Sequence, residues 1–410
     1  MLKEIRVIEF AEGVAGPTAG LHLSELGADV IKLEPAGGDW LRSAAPVQEG
    51  SEVSAAFFAL NRGKRSVAFG ARPQVAKPLV QALLDRADIL ISDRGTAELD
   101  PLGIDAASDM PVPSNPRLIT ALISPWGRHG PFARKKGSEL TAQAMAGYTR
   151  YLGFHGQPSR RLGADVASAG TGIFALQAIL AALYARNRSN RGQRVDLSLL
   201  NSLLSMKSIH LAAQSDPDAY EGPRVGGANH TPERGWKTAD RPIYFSFGGS
   251  VGAEGRMGWV DFVKEVGLEK LLDDPRCDKA GRKTTGHGLY THDLRSTYEE
   301  AFTRYGAEEL CAIIKKHRGN AAVYVRADET LAHPQTAALD IIRTVKDRNG
   351  EQAKVRAFPA HFSRLRPRID AAVPGLGEHV RAVALEVGIT VAALDDMVHE
   401  GGLAVGGLAG

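Results

Sequence analysis

Residues 161–174, RLGADVASAGTGIF, place an acid and a hydroxyl three positions apart at the start of a long apolar run. The acid is Asp165 and the hydroxyl belongs to Ser168. Residues three apart share a face of a helix, so both side chains could reach the same space. Aspartate is also a preferred helix N-cap residue, and the helix dipole keeps a carboxylate there ionised. The stretch therefore predicts either a helix cap or a reactive carboxylate beside a helix N-terminus.

Two further groups of residues could take part in chemistry. The turn NRGKRS, residues 61–66, contains three cations, and its Lys64 and Arg65 could bind phosphate groups, because basic side chains hold phosphate through charge-assisted hydrogen bonds. An exposed basic loop is the alternative for such a cluster. In KKGSEL, Glu139 could belong to a capping box or to a site, and Lys136 could bind a ligand or be a solvated lysine.

The elements that must position these residues follow from the hydrophobic pattern. The runs IRVIEF, DVIKLEP, DILISD and NPRLITALIS predict strands, and AGPTAGLHLSELGA and VAKPLVQALLDRA predict helices between them. This alternation predicts a parallel sheet covered by helices. GTGIFALQAILAALYARNRS, residues 170–189, predicts a long helix whose last turn is basic. Residues 215–239 predict a loop, and the segment after them predicts a small α/β domain.

Length and composition narrow the class of protein. A chain of 410 residues favours two domains, and 43% hydrophobic and 24% charged residues are typical of a globular protein. Fifty basic and 47 acidic residues, with no basic tail, argue against nucleic-acid binding. Two cysteines are too few for a disulfide framework or a zinc site. The first residues predict a strand rather than a signal peptide, and no uninterrupted apolar run reaches the roughly 20 residues of a membrane span. We expect a cytoplasmic protein.

Six stretches, taken in order, resemble the class III coenzyme A transferases, the family of formyl-CoA transferase, carnitine CoA-transferase and α-methylacyl-CoA racemase. They are AGPTAGLHLSELGADVIKLEPAGGD, FALNRGKRSV, GSELTAQAMAG, ILAALYARNRSNRGQRVDLSLLNSLL, DDPRC and PGLGEHV. The resemblance covers nearly the whole chain. It implies an α/β fold with a Rossmann-like large domain and a small α/β domain joined by long linkers. It also implies that two chains thread through each other in an interlocked dimer.

The domain boundaries that the resemblance implies can be stated along the chain. Residues 1–200 form the large CoA-binding domain, residues 201–225 a linker, and residues 226–330 the small domain. Residues 331–410 form a second linker and a segment that returns to the large domain.

The resemblance also implies a reaction. An aspartate attacks an acyl-CoA thioester, forms a mixed anhydride and releases the CoA thiolate, which returns to give an enzyme-bound thioester that an acceptor acid then attacks. Counted back from Ile179 and from the pair Thr171–Gly172, the position of this aspartate falls on Ser168. A serine cannot form the anhydride. Three hypotheses stay open for Asp165: it replaces the nucleophile, it caps the helix, or the chain is the acid-less subunit of a two-subunit CoA-transferase.

Further roles follow from the resemblance residue by residue. Glu139 matches an acid that faces the active site, and Lys136 matches a position that helps to hold CoA. Lys64 and Arg65 match CoA contacts. Two arginines of the family correspond to prolines in this chain, at Pro35 and Pro101.

The resemblance has two further implications, one for a loop over the active site and one for the racemase reaction. Gly226 and Gly227 in VGGANH match a mobile loop over the active site. Ser138 stands where racemases carry a histidine base, and a hydroxyl cannot serve as a base near neutral pH, so racemase activity is disfavoured. No metal and no cofactor beyond CoA is implied. The expected partners are an acyl-CoA, a small carboxylic acid, and a second copy or a related CoA-transferase chain.

Overall fold

The computed structural model describes residues 1–47, 53–149, 160–208, 211–212, 235–247, 252–274, 294–346, 352–370 and 372–406. The chain forms two compact units. The first contains Met1–Ala146, Gly163–Met206 and Pro334–Gly410, and the second contains Gly147–Leu162 and Lys207–His333.

A seven-stranded sheet forms the centre of the first unit. Its strands are β1 (Arg6–Phe10), β2 (Asp29–Glu34), β3 (Arg65–Phe69), β4 (Ile89–Ser92), β5 (Ile119–Ser124), β6 (Arg194–Ser198) and an edge strand at Leu403–Ala404. The order is edge strand, β3, β2, β1, β4, β5, β6, and all pairs are parallel except that of the edge strand with β3. In sheets with the strand order 3-2-1-4-5-6, ligands bind at the carboxyl ends of the strands.

Helices connect these strands. They are α1 (Ala15–Glu25), α2 (Ala55–Asn61), α3 (Lys77–Leu84), α4 (Thr96–Leu99), α5 (Glu139–Met145), α6 (Val166–Ser189) and α7 (Leu199–Met206). Every residue of α1 is buried, and α1 packs along α6. Gly172 allows this close approach, because a Cβ there would lie 2.5 Å from the carbonyl oxygen of Ala15 and 2.6 Å from Thr18 Cβ.

Helix α6 is the longest helix in the described residues. By length and composition it is the one described helix that could cross a membrane, which is weak evidence of a span. It packs against α1, α7, β5 and β6, as a helix of the first unit's core does.

The second unit has its own aromatic core. Its described elements are β7 (Ile243–Ser246), α8 (Gly252–Glu265), α9 (Arg295–Phe302), α10 (Ala307–Lys316), β8 (Asn320–Val323) and α11 (Ala327–Ala332), and β7 pairs antiparallel with β8. Trp236, Phe245, Tyr298 and Phe302 pack ring against ring in this core.

The segment after residue 333 belongs to the first unit. It contains α12 (Pro334–Ala338), the antiparallel hairpin β9 (Ile342–Lys346) and β10 (Gln352–Arg356), α13 (Val380–Glu386), α14 (Val391–His399) and the edge strand, which we number β11 (Leu403–Ala404). Val380, Val383, Leu394 and Leu403 are buried in the same core as α3 and the central strands. The C-terminal helices therefore help to build the sheet domain.

Candidate active site

Glu139 is positioned by the loop that joins β5 to α5. The Trp126 indole N–H donates to the carbonyl oxygen of Lys136 over 3.3 Å. Gly137 lies against the same tryptophan, since a Cβ there would be 2.4 Å from Pro125 Cβ and 2.8 Å from the Trp126 ring. Ser138 then caps α5, with its hydroxyl accepting from the backbone N–H of Thr141. These contacts hold the start of α5, and with it the backbone of its first residue, Glu139, in place.

The carboxylate of Glu139 lies at the N-terminus of α6. Its Oε1 accepts from the backbone N–H of Ala167 at 2.8 Å and from Gln143 Nε2 at 2.7 Å. Its Oε2 accepts from both the backbone N–H and the hydroxyl of Ser168, each at 2.7 Å. Partial burial raises the pKa of Glu139, but these hydrogen bonds outweigh it, so the pKa lies below the ordinary glutamate value. Glu139 is thus an ionised cap on a helix other than its own.

Asp165 occupies the N-cap position of α6 without capping it. Its side chain accepts no capping hydrogen bond, while its backbone carbonyl accepts from Ala169 at 2.8 Å. The residue is exposed, and its carboxylate has no hydrogen bond or ion pair among the described residues. Since Glu139 takes the backbone donors of Ala167 and Ser168, the carboxylate of Asp165 is left open to solvent beside the helix N-terminus.

Ser168 is held by Glu139 rather than directed outward. Its hydroxyl donates to Glu139 Oε2, and its backbone N–H binds the same oxygen. Ser138, which we expect to correspond to the histidine base of racemases, caps α5.

Lys64 is buried in the ion network of the sheet domain. Its ammonium group contacts Glu9 at 2.8 Å, Asn61 Oδ1 at 2.9 Å and the carbonyl oxygen of Pro17 at 3.1 Å. Burial lowers the pKa of Lys64 to about 8; Glu9 opposes this change and Lys32 adds to it. The lysine donors are therefore taken up by the protein itself.

Arg65 also has protein partners. Its guanidinium group binds Asp29 at 2.6 Å and Glu386 at 2.7 Å. The structure thus gives both Lys64 and Arg65 internal partners, and their role as CoA contacts stays a prediction.

Lys136 lies on the loop just before Glu139 and is exposed. Arg134 and Lys135 beside it are also exposed, and Lys135 lies over the Phe132 ring at 4.5 Å. Gly226 and Gly227 lie outside the described residues. Within the described residues no group of three or more histidine, cysteine, aspartate or glutamate side chains could hold a metal ion.

Sequence reasoning missed Gln143, Trp126 and Gly137. Gln143 carried a signal, because it stands four residues after Glu139 on the same helix face. The sequence contains no signal for Trp126 and Gly137. They contact each other across a loop, and a loop has no periodic hydrophobic pattern from which such a contact could be predicted.

Comparison with known proteins identifies the family. A family model described as CoA-transferase family III matches residues 2–380. The chain belongs to CoA-transferase family III, a family of class III CoA-transferase enzymes, which confirms the resemblance seen in the sequence.

Relatives and a solved structure are similar over most of the chain. A formyl-CoA:oxalate CoA-transferase of Streptomyces avermitilis is 32% identical over 295 residues, covering 67% of this chain and 69% of the relative. A succinate–glutarate CoA-transferase of Agrobacterium fabrum is 30% identical over 398 residues, covering 94% and 95%. The crystal structure of a CAIB/BAIF family protein from Brucella suis superposes with a TM-score of 0.77 at 27% identity, covering 93% of this chain and 98% of that chain. The central, mostly parallel sheet with helices is therefore the fold of this family.

Proposed function

We propose that this chain transfers CoA from an acyl-CoA thioester to a carboxylic acid, with Asp165 as the attacking carboxylate. The observation that supports this proposal is the arrangement at the start of α6, where Glu139 takes the backbone donors and leaves the carboxylate of Asp165 without a partner in the described residues. To attack an acyl carbon, a carboxylate must be ionised, and its oxygen must not be held in hydrogen bonds to the protein.

The reaction proceeds through successive acyl transfers, all at the carboxylate of Asp165. Asp165 attacks the thioester carbonyl carbon, the carbon–sulfur bond breaks, and a mixed anhydride and the CoA thiolate result. The thiolate attacks the anhydride at the carbonyl carbon of Asp165, releasing the first acid and leaving CoA bound to the enzyme as a thioester. The acceptor carboxylate attacks that thioester, which breaks the carbon–sulfur bond, expels the CoA thiolate and forms a second anhydride. The thiolate then attacks the acceptor's carbonyl carbon, which yields the new acyl-CoA and releases the carboxylate of Asp165. No redox step or metal enters this sequence.

Glu139 acts in this scheme as a positioning residue. Its two oxygens each accept two hydrogen bonds, so attack by Glu139 would require loss of an existing bond. Its negative charge caps α6 and holds Ser168 inward. Lys136, three residues before Glu139, is the exposed cation that we assign to CoA binding.

Steady-state transfer by the purified lone chain tests this proposal. We expect Asp165→Asn to reduce kcat by at least about 100-fold, because an amide cannot form the anhydride. Its free energy of unfolding should change by less than about 0.5 kcal/mol, because the side chain makes no capping bond. Ser168→Ala is the matched control and should keep most of kcat. Unchanged turnover in Asp165→Asn would refute the assignment.

A second candidate is that the chain is the acid-less subunit of a heteromeric class III CoA-transferase. The observation that favours it is the hydroxyl of Ser168, which donates to Glu139. Ser168 is the residue on which the sequence count predicts the family's aspartate. Interlocking with a related chain would then supply the nucleophile from the partner, and a homodimer would be inactive. Co-purification with a related chain, followed by activity of the pair but not of the lone chain, would support this candidate. We propose a cytoplasmic location for either form.

A further inference from the structure

Trp40 is an exposed aromatic side chain at the carboxyl edge of the large sheet. It opens a short 3₁₀ turn, Trp40–Ser43, shortly after β2, and 58% of its surface is exposed. Its indole lies against Gly13 in the turn between β1 and α1, where a Cβ would be 3.0 Å from Trp40 Cζ2. Gly13 has a φ of +70°, so both its conformation and the indole contact favour glycine there. The contact with Gly13 therefore holds the indole ring in a defined position, although most of its surface is exposed.

A buried ion pair holds this turn. Asp39 Oδ1 accepts from the backbone N–H of Gly13 at 3.1 Å and of Leu41 at 2.9 Å, which joins the turn of Trp40 to the turn after β1. Its Oδ2 lies 2.9 Å from the ammonium group of Lys32, and both side chains are fully buried. Burying such a pair costs desolvation free energy, so the arrangement fixes geometry more than it adds stability.

Contacts between helices connect this turn to the candidate nucleophile. Ala15, two residues after Gly13, touches Gly172 of α6 through its carbonyl oxygen. Gly172 is about one turn of α6 beyond Ser168. Since α6 leads back to the amino end of β6, which is parallel to β5, the first turn of α6 lies at the carboxyl edge of the sheet, as the turn of Trp40 does.

The charges around Trp40 favour an apolar ligand group over a phosphate. Arg42 binds both oxygens of Glu34 at 2.7 Å and stacks on the Phe57 ring at 4.0 Å. Lys32 is buried between Glu9 and Asp39. Neither cation beside the turn is open to a phosphate, whereas Arg134, Lys135 and Lys136 are exposed near Glu139.

We propose that Trp40 forms the wall of the acyl pocket and selects thioesters with an apolar, preferably aromatic, acyl group. This inference rests on the proposed function, because it places the acyl carbon at the start of α6. The indole face supplies stacking and apolar contact, and the buried Lys32–Asp39 pair keeps it rigid, so that little side-chain entropy is lost on binding.

Binding of non-reactive thioethers tests this proposal without requiring turnover. Calorimetry would compare S-benzyl-CoA with CoA for the wild type, Trp40→Ala, Trp40→Phe and Tyr184→Ala. Tyr184, 63% exposed and near the far end of α6, is the matched exposed aromatic control. We expect a wild-type preference for S-benzyl-CoA that falls about ten-fold in Trp40→Ala, with unchanged CoA affinity. Trp40→Phe should keep most of the preference, and Tyr184→Ala all of it.

Other outcomes contradict the proposal. The absence of a wild-type preference, a preference that persists in Trp40→Ala, or an equal loss of CoA and S-benzyl-CoA affinity would each overturn it. If Trp40→Ala does not fold, Trp40→Gln replaces it, with loss of the preference expected and its retention overturning the proposal. A wild type that transfers no CoA but shows the Trp40-dependent preference would count against the proposed function alone.

Discussion

At the scale of single residues, Glu139 shows how a carboxylate can serve a helix far away in sequence. Its acceptors bind the first backbone donors of α6, 28 and 29 positions later in the chain. The helix dipole favours an anion at that place, and the hydroxyl of Ser168 adds a further donor. The local N-cap residue, Asp165, is thereby released from the capping role that its residue type predicts.

Glu139→Gln should destabilise the protein by about 1–3 kcal/mol, because hydrogen bonds to an ionised acceptor at a helix N-terminus are stronger than those to an amide. Urea unfolding followed by circular dichroism measures the change. The matched control is Asp165→Asn, for which we expect almost none. Equal destabilisation of the two variants would contradict the assignment of the cap to Glu139.

The same residue predicts a pH dependence. The folded-state pKa of Glu139 is below its ordinary value, so its ionised form contributes stability above the unfolded pKa of about 4.3. That contribution is lost as the pH falls through the folded-state pKa. The difference in unfolding free energy between wild type and Glu139→Gln should therefore shrink below about pH 4.3.

Two acids of the candidate site can be singled out from the sequence more readily than their hydrogen-bond partners. Glu139 and Asp165 stand out because acids near a helix start have few common uses. The exchange of capping roles between them could not be predicted, since it depends on how α5 and α6 meet in space. Lys64 reads as an exposed basic residue beside Arg62 and Arg65, yet it is buried because Glu9 of β1 lies opposite it. An ion pair between residues this far apart in the sequence cannot be predicted from the pattern of neighbouring residues.

At the scale of elements, the contact between α1 and α6 sets the geometry of the carboxyl edge. Gly172 touches the backbone of α1 at Ala15. Gly170, two residues earlier on the same helix, meets only the flexible end of Met206, at 2.9 Å from its Cε. The two glycines therefore form a natural comparison.

Gly172→Ala should destabilise the protein by about 1–3 kcal/mol, because the added methyl group must push α1 away. Gly170→Ala should be neutral or stabilise by up to about 1 kcal/mol, because Met206 can move and alanine favours helix. Thermal unfolding of both variants measures the difference. A Gly172→Ala variant as stable as Gly170→Ala would show that α1 and α6 pack less closely than described.

Many of the elements could be predicted from hydrophobic pattern. The runs IRVIEF and DILISD contain β1 and β4, and the apolar run from residue 170 lies within α6, Val166–Ser189. The helix begins four residues earlier than the pattern, because Glu139 supplies the cap from outside the segment. The short turn of Trp40 lay in a glycine-rich stretch, whose conformation depends on Asp39 and buried Lys32.

At the scale of the whole molecule, the C-terminal segment shares one core with the N-terminal strands and helices of the first unit. Gly70, after β3, donates its backbone N–H to Gly402, and β11 pairs with β3 at the sheet edge. Leu394 and Leu403 are buried beside residues of α3. This pairing covers the edge of β3 at Ala68 and Phe69, where an unpaired strand could otherwise bind another chain.

Leu394→Ala should cost about 2–5 kcal/mol, because it removes a fully buried side chain from the core of the sheet domain. Val391→Ala on the same helix should change stability by less than about 0.5 kcal/mol, since Val391 is 47% exposed. Urea unfolding with a probe of overall secondary structure tests both. A small effect of Leu394→Ala would contradict a shared core between the C-terminal helices and the sheet.

In the proposed function, this chain carries CoA on its own carboxylate at the start of α6. The most direct measurement is intact and peptide mass spectrometry of the lone chain after incubation with acyl-CoA and hydroxylamine, which converts an activated carboxyl group to a hydroxamate. This mechanism predicts a single adduct on Asp165 that survives in Ser168→Ala and disappears in Asp165→Ala. An unmodified lone chain, with the adduct found on a related partner chain instead, would contradict it.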